Sequence, residues 1–505
     1  MLKYILRRLG ISVLIMLGAS LLLYVLTINS GDPLEDLREN PDENAQTLME
    51  ARIRNMNLDL PWYERYWEWL TGAAKCVTFN CDLGTNRTGV QVTQMVTQAA
   101  GSTLRLVLLA TLLAIVIGIT IGILTAIRQY SGFDYAATFV SFLFFSLPVF
   151  WAAVLLKEFG AIRFNNWMAD PRLSLWACIG IGAALGFLLQ VILGGDTRRR
   201  LLTGGITFVF VTVVLYYFDS INWFRYPVLG PAVVAAGSAG AAVLVATLMS
   251  GLDNRRNLYA GLTTVAAGMV SYFVFADTLA EPTWGVLFGL FALAIAVSVV
   301  IGLLWGGYAK RQAVWTSVIT GIITSGWVLA DKVVYAWGNY VDVMPRPIQT
   351  IGSQSPNFSG TFWQEFLDKG TQLILPTTVL MLISLASYSR YTRSSMLDVL
   401  EQDYVRTARS KGLSERTVIT KHAFRNALIP LTTIVAFDFA GLIGGAIITE
   451  QVFGWKGMGE LFQTGLTQVD PNPVMAFFLV TGGAAVLMNL VADIMYGVLD
   501  PRIRR

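Results

Sequence analysis

Few side chains in this chain can take part in catalysis or metal binding. Its 505 residues include one histidine, His422, and three cysteines, whereas most zinc sites and serine-hydrolase triads need histidine. The pairs Lys411-Gly412 and Lys456-Gly457 lack the glycine spacing of a phosphate-binding loop. The sequence therefore predicts a protein that is not an enzyme and that carries no metal or cofactor of its own.

Two acidic residues and two cysteines are the remaining candidates. Asp438 and Asp493 lie within apolar runs, where acidic side chains usually face a helix bundle or a water-filled cavity. Asp493 is nearer the end of its run and is predicted to be structural. Asp438 is a candidate for a translocation path, and a hydrogen bond between helices explains it equally well. Cys76 and Cys81 lie in a polar segment on the predicted external side, where we expect a disulfide.

A polar loop, residues 390–426, differs from the rest of the chain. Its first part has one apolar face at helical spacing, formed by Met396, Val399, Leu400 and Tyr404. Lys411-Gly412 is typical of a helix C-terminus, and Ser414 can cap a second helix. We predict a helix, a glycine turn and a helix that dock on another protein. A solvated basic loop would explain the charges alone.

The composition indicates whether these residues lie in a soluble protein or in a membrane protein. Hydrophobic residues make up 54% of the chain and charged residues only 14%, which is too little charge to coat a water-facing surface. The net charge of +4 is small and scattered, so nucleic acid is not expected as a partner. The sequence predicts an all-α polytopic membrane protein.

Twelve apolar runs are long enough to cross a bilayer about 30 Å thick as helices. They lie near residues 10–28, 103–127, 136–156, 173–193, 201–218, 228–250, 258–276, 284–307, 313–330, 373–389, 427–449 and 473–498. With the start of the chain in the cytoplasm, more than half of the 37 lysines and arginines fall on the cytoplasmic side. Both termini are therefore predicted to be cytoplasmic.

These runs and the polar stretches between them divide the chain into six parts. We predict an N-terminal transmembrane helix (1–28), an extracytoplasmic segment (29–102), core helices (103–165), an inserted six-helix membrane block (173–330), an extracytoplasmic loop (331–372) and further core helices (373–505) that contain the cytoplasmic loop 390–426. The block has short loops and an even number of spans, so its removal would leave the remaining topology unchanged.

The loop also resembles a known family. The stretch DYVRTARSKGLS, from Asp403 to Ser414, and HAFRNALIP, from His422 to Pro430, are similar to the EAA-loop signature of ABC-importer permeases. The likeness is to the first (B-type) permease of the dipeptide, oligopeptide and nickel subfamily, in which Arg-Thr-Ala commonly replaces Glu-Ala-Ala. It extends through residues 444–459 to the ending Leu499–Arg504, and covers roughly 1–165 and 340–505.

This resemblance implies a type I importer fold whose coupling helix sits in a cleft of a cytoplasmic ATPase. The implied coupling residues are Tyr404, Arg406, Thr407, Ala408, Arg409, Lys411, Gly412, Leu413 and Ser414. The implied function is that of the permease subunit of an ATP-driven importer for peptides or similar small solutes, working by alternating access. The alternative is a proton- or sodium-coupled secondary transporter. The small number of intramembrane ionisable groups argues against it.

The resemblance also implies the partners and the location. The expected partners are a second homologous permease, one or two cytoplasmic ATPase subunits that bind ATP and Mg²⁺, an extracytoplasmic solute-binding lipoprotein and membrane lipid. The expected location is the bacterial cell membrane. Nothing in the family pattern predicts the block 173–330, which we expect to be a peripheral helical bundle beside the translocation core.

Overall fold

The protein is helical throughout most of its length. The computed structural model describes residues 2–39, 44–251 and 254–499. Within these ranges the ordered elements are helices, and an isolated β-bridge joins Thr85 to Gln91. The predicted all-α membrane fold is confirmed. Met1, the family-like ending beyond Leu499 and the basic residues of the predicted cytoplasmic tail lie outside the described residues.

The helices follow one another in three groups. The N-terminal group comprises α1 (Leu2–Ile28), α2 (Glu35–Arg38), α3 (Ala45–Met56), α4 (Trp62–Ala74), α5 (Val92–Ile127), α6 (Gly132–Ser146), α7 (Val149–Lys157) and α8 (Phe164–Met168). The middle group comprises α9 (Leu175–Leu193), α10 (Thr197–Ser220), α11 (Gly230–Ser250), α12 (Arg255–Val274), α13 (Trp284–Trp305) and α14 (Lys310–Val343). The C-terminal group comprises α15 (Phe362–Leu400), α16 (Asp403–Ser410), α17 (Glu415–Thr417), α18 (Phe424–Gly445), α19 (Ile447–Phe453), α20 (Met458–Thr467) and α21 (Pro471–Leu499).

Among the described residues, ten helices are long and apolar enough to cross a membrane. The segments Gly132–Ser146 and Val149–Met168 form an eleventh candidate, bent by 102° at Pro148, which cannot continue the backbone ladder of a helix. The predicted run 258–276 coincides with α12, which falls outside these candidates and begins with two arginines and an asparagine. Eleven of the twelve predicted runs therefore coincide with these candidates, the run 136–156 with the bent pair, and the described residues give ten or eleven spans rather than twelve.

The centre of the molecule is the close pair α5 and α15. Two glycines of α5 allow the contact, because a Cβ at Gly122 would lie 2.5 Å from Thr392 Cβ, and one at Gly118 would lie 2.9 Å from Tyr388 Cβ. Both distances are shorter than the closest approach of two non-bonded carbon atoms. Small residues at such crossings let membrane helices pack through backbone contact. The helices α18 and α21 pack beside this pair, and α1 packs on α21, where Arg8 and Asp493 form an ion pair.

The predicted external segment, residues 29–102, packs on one end of these helices. In α4, Trp69 and Ala73 are buried against Tyr24 of α1, and Tyr66 shares a hydrogen bond of 2.8 Å with Ser20 of α1. Three other aromatic side chains of α4, Trp62, Tyr63 and Trp67, are exposed. The aromatic side chains of α4 therefore pack against α1 only in part.

The middle group of helices forms two units. The helices α9 and α10 pair with each other, while α11 to α14 form a four-helix bundle in which α14 contacts the other three. The bundle reaches the centre of the molecule through the contact of α14 with α15. Within the bundle, Asp331 of α14 is buried and accepts hydrogen bonds from Tyr272 Oη at 2.8 Å and Gly230 N at 2.9 Å.

The predicted external loop 331–372 is shorter in the structure. The helix α14 continues to Val343 and α15 already begins at Phe362. Hydropathy ends the predicted spans early because both extensions carry polar residues. The helices nevertheless continue, since Asp368 of α15 is buried and accepts hydrogen bonds from Ser355 and from Tyr340 of α14.

Candidate functional site

The loop 390–426 has the predicted helix, glycine turn and helix, with one difference. Helical spacing predicts one continuous helix through Tyr404, but α15 ends at Leu400 and α16 starts anew at Asp403. The break turns Tyr404 away from the buried Met396, and the tyrosine is exposed while its hydroxyl accepts a hydrogen bond of 2.9 Å from Asn426. The prediction that Tyr404 shares an apolar face with Met396 is therefore wrong.

The turn after α16 depends on a glycine. Gly412 has φ +72 and donates its N–H to the carbonyl of Arg409 at 2.9 Å. No other atom would lie within 4 Å of a Cβ at this position, so the requirement is conformational rather than spatial. Ser414 then caps the next helix and accepts a hydrogen bond from the backbone N–H of Thr417 at 3.4 Å.

The nine predicted coupling residues differ in solvent exposure: one is buried and eight are exposed. Ala408 is buried, and it packs with Val405 and Val418 beneath the turn. The other eight, which are exposed, are Tyr404, Arg406, Thr407, Arg409, Lys411, Gly412, Leu413 and Ser414. The turn therefore presents a continuous polar surface with one apolar side chain, Leu413, on a small apolar base.

An ion pair closes the base of the turn. Arg409 donates to Glu415 at 2.7 Å across the glycine turn, and the guanidinium holds the pKa of this carboxyl below its ordinary value. Arg409 is thus already engaged within the loop. Arg406 and Lys411 remain the more exposed cations of the surface.

A second ion pair, missed in the sequence, ties α15 to α6. Arg393 donates from Nε and Nη2 to the two carboxylate oxygens of Asp134, each at 2.9 Å. Asp134 also accepts from the backbone of Tyr130 and is 2% exposed. A cavity of about 230 Å³ lies beside this pair, and Arg390 stacks over Phe145 in its wall at 4.3 Å.

Within the membrane, Asp438 accepts a hydrogen bond of 2.6 Å from the hydroxyl of Tyr388. The bond joins α18 to α15, so the structure contains the helix-to-helix contact that was one of the two predicted alternatives. The role of Asp438 in a path stays a prediction. In the external segment, Cys76 and Cys81 are joined by a disulfide.

A buried carboxylate that sequence reasoning missed organises the outer side. Glu450 of α19 accepts hydrogen bonds from Thr103 Oγ1 of α5 at 2.6 Å and from Gly459 N of α20 at 2.7 Å. It is 1% exposed, and burial raises its pKa above the ordinary value. A Cβ at Gly457 would lie 2.2 Å from Glu450 Oε1, which gives the glycine-rich stretch 454–459 a structural reason.

Two cavities share Arg105 of α5, two positions after the Thr103 that donates to Glu450. One, of about 700 Å³, lies between the outer part of α5, the loop 353–354 and α20. The other, of about 760 Å³, continues along α5 and α15. Arg105 lines both cavities, so it stands where the polar outer cavity meets the apolar one.

A comparison with known protein families matches the part of the chain that contains these residues. The model of the binding-protein-dependent transport system inner membrane component matches residues 260–505, which include the coupling loop, Asp438 and Glu450. Residues 260–505 of the chain belong to this permease family. In this permease chain the family match begins at residue 260, within the predicted inserted block, whose boundaries stay a prediction.

Curated relatives are peptide-transport permeases. The chain is 45% identical over 153 residues to the oligopeptide transport system permease protein OppB of Mycobacterium tuberculosis, which is 30% of this chain and 47% of the relative. It is 47% identical over 136 residues to AppB of Bacillus subtilis, covering 27% and 43%. It is 34% identical over 227 residues to the glutathione transport system permease protein GsiC of Salmonella typhi, covering 45% and 66%. The aligned part thus spans about half the length of the first two relatives.

Proposed function

We propose that this chain is a permease subunit of an ATP-driven importer that carries peptides or similar small solutes. The observation that carries this proposal is the exposed coupling surface, residues 404–414, held on the buried base of Val405, Ala408 and Val418. The partner that binds this surface is a cytoplasmic ATPase, which supplies ATP hydrolysis with Mg²⁺. A second permease, a solute-binding lipoprotein and membrane lipid complete the proposed assembly, in a bacterial cell membrane with both termini cytoplasmic.

The helix α15 supports alternating access as the mechanism. Its 39 residues, Phe362–Leu400, form one helix that ends beside the coupling surface, a length of about 58 Å. The inner end is held to α6 by Arg393 and Asp134, and to the coupling surface through Val399 and Leu400. A movement of the ATPase would therefore reach the outer side through one continuous helix, provided the two states differ in their contacts.

The test replaces one exposed side chain of the coupling surface. Leu413→Asp places a charge on the turn without touching the buried base, and Leu48→Asp makes the same change on the exposed face of external helix α3. We expect Leu413→Asp to lose the co-purified ATPase and at least tenfold of the ATP-driven peptide uptake. We expect Leu48→Asp to keep both.

The same experiment separates the importer from a secondary transporter. Uptake into vesicles is measured with ATP present and the proton and sodium gradients collapsed. Uptake that persists without gradients supports the importer. Uptake that needs a gradient, is indifferent to ATP and survives Leu413→Asp would overturn the proposal.

A further inference from the structure

The outer cavity of about 700 Å³ has charges of both signs in its wall. Arg105 and Lys456 contribute cations, Glu460 contributes an exposed carboxylate, and a second acid in the wall, Asp470, is buried. In the part of the chain that the structure describes, the side chains of Arg105, Lys456 and Glu460 have no ion-pair partner. Charged side chains without an ion-pair partner in a cavity wall can bind a ligand that carries charges itself.

We propose that this cavity receives a peptide through its two charged ends, with Arg105 and Lys456 facing the C-terminal carboxylate and Glu460 facing the ammonium group. This inference rests on the proposed peptide import and assigns residues to it. A guanidinium binds a carboxylate through paired hydrogen bonds, and a lysine adds a mobile second cation. A short peptide has both charges at its ends, which suits a cavity with separated cations and an acid.

The depth of Arg105 favours a solute over a docked protein surface as the ligand. Arg105 stands 13 positions after the start of α5 at Val92, which is about 20 Å along the helix. Gln98, Gly101 and Ser102 line the cavity nearer that start. Because Arg105 also lines the adjoining cavity along α5 and α15, it lies on the way from the external face into the span.

Glu450 fixes the two walls of this cavity relative to each other. Its carboxylate accepts from Thr103, two positions before Arg105, and from the backbone N–H groups of Gly459 and Glu460 at 2.7 and 3.3 Å. The bonds join α5 directly to the start of α20. The distance between the cation of α5 and the charges around α20 is therefore set by a buried, fully engaged carboxylate.

The experiment compares trialanine with trialanine amide, which lacks the terminal carboxylate. Both are offered, on saturating binding protein, to the assembled complex in proteoliposomes, with wild type, Arg105→Gln, Lys456→Gln and the control Lys75→Gln. Lys75 is an exposed external lysine outside this cavity. We expect wild type and Lys75→Gln to transport the acid about tenfold faster than the amide, since a charge-assisted hydrogen bond is lost with the amide.

In Arg105→Gln and Lys456→Gln we expect acid and amide rates within about twofold of each other, because only the acid loses its partner. Equal losses for both solutes, together with weaker binding of the binding protein, would overturn the inference and assign the cations to protein docking. Unchanged preference in both variants, or a wild type without preference, would also overturn it. If wild type hydrolyses ATP but moves neither peptide, the proposed function itself fails.

Discussion

Arg393 of α15 and Asp134 of α6 form a two-point ion pair, with both guanidinium-to-carboxylate distances at 2.9 Å. The side chain of Asp134 is 3% exposed and that of Arg393 is 31% exposed. The pair joins the inner part of the long helix α15 to the start of α6, immediately before the coupling surface. The pair therefore ties α6 to α15 at this point.

We predict that Arg393→Gln destabilises the protein by about 3–5 kcal/mol, because Asp134 is then left buried without its cation. The double variant Arg393→Met with Asp134→Leu should recover most of this loss. Thermal unfolding of the purified protein measures both. Arg163→Gln, which breaks the exposed pair with Glu158, is the control and should cost at most about 1 kcal/mol.

Uptake distinguishes a positioning role of this pair from a purely structural one. If the pair transmits movement, the double variant will be stable but slow in peptide uptake, with its ATPase still bound. A double variant with both wild-type stability and wild-type uptake would show that the pair only stabilises the fold.

The close contact of α5 and α15 gives a second prediction. Gly122→Ala places a methyl group 2.5 Å from Thr392 Cβ and 2.7 Å from the carbonyl of Ser389, so the helices must separate. We expect a loss of about 1–3 kcal/mol. Gly101→Ala is the matched control on the same helix, because no other atom lies within 4 Å of its Cβ position. Equal stability of the two variants would contradict the tight crossing.

The glycine turn gives a third prediction. Gly412→Ala should destabilise the turn by about 1 kcal/mol, because a residue with a Cβ is strained at φ +72. The neighbouring space is open, so global unfolding should change little, while the affinity for the ATPase should fall several-fold. Gly205→Ala, in α10 with open space around it, should alter neither. Unchanged ATPase affinity in Gly412→Ala would remove the turn conformation from the coupling surface.

Asp470 gives the external segment a pH-dependent stability. Burial raises the pKa of Asp470 to about 6 from 3.8, against the opposing effects of the Arg87 backbone N–H and of the Arg87 and Arg52 charges. The folded protein therefore binds this proton more tightly than the unfolded chain. Its contribution is fully present below about pH 4 and is lost as the pH rises through 6.

We expect the free energy of unfolding to include a decrease of about 2 kcal/mol from pH 4.5 to 7.5 that is due to Asp470. Tryptophan fluorescence during thermal unfolding at both pH values measures it. Asp470→Asn should flatten the dependence by this amount, while Asp59→Asn, an exposed external acid, should not. A pH dependence that is the same in Asp470→Asn and wild type would refute the assignment.

The local sequence pattern predicted most of the helices. Most of the features that it missed are contacts between residues far apart in the sequence. Apolar runs identified the membrane helices because burial in lipid requires them, and Lys411-Gly412 with Ser414 marked the turn. Spacing could not detect the break at 401–402, since the apolar pattern continues across it. Asp134 with Arg393, and Thr103 with Glu450, are separated by 259 and 347 positions, so one sequence gives no sign of either contact.

The central claim is that the surface 404–414 binds an ATPase, and a single engineered cysteine tests it most directly. The native background is low, because Cys76 and Cys81 are paired and Cys178 is buried. Leu413→Cys is introduced at the exposed turn and Leu48→Cys at the external helix α3 as the control, and both are treated with a short thiol-to-amine cross-linker in membranes. We expect Leu413→Cys to give a covalent adduct with the ATPase subunit and Leu48→Cys to give none. The yield of the adduct should change when the ATPase is trapped in a different nucleotide state. An ATPase that co-purifies with the chain but is never cross-linked from position 413, in any nucleotide state, would contradict the claim.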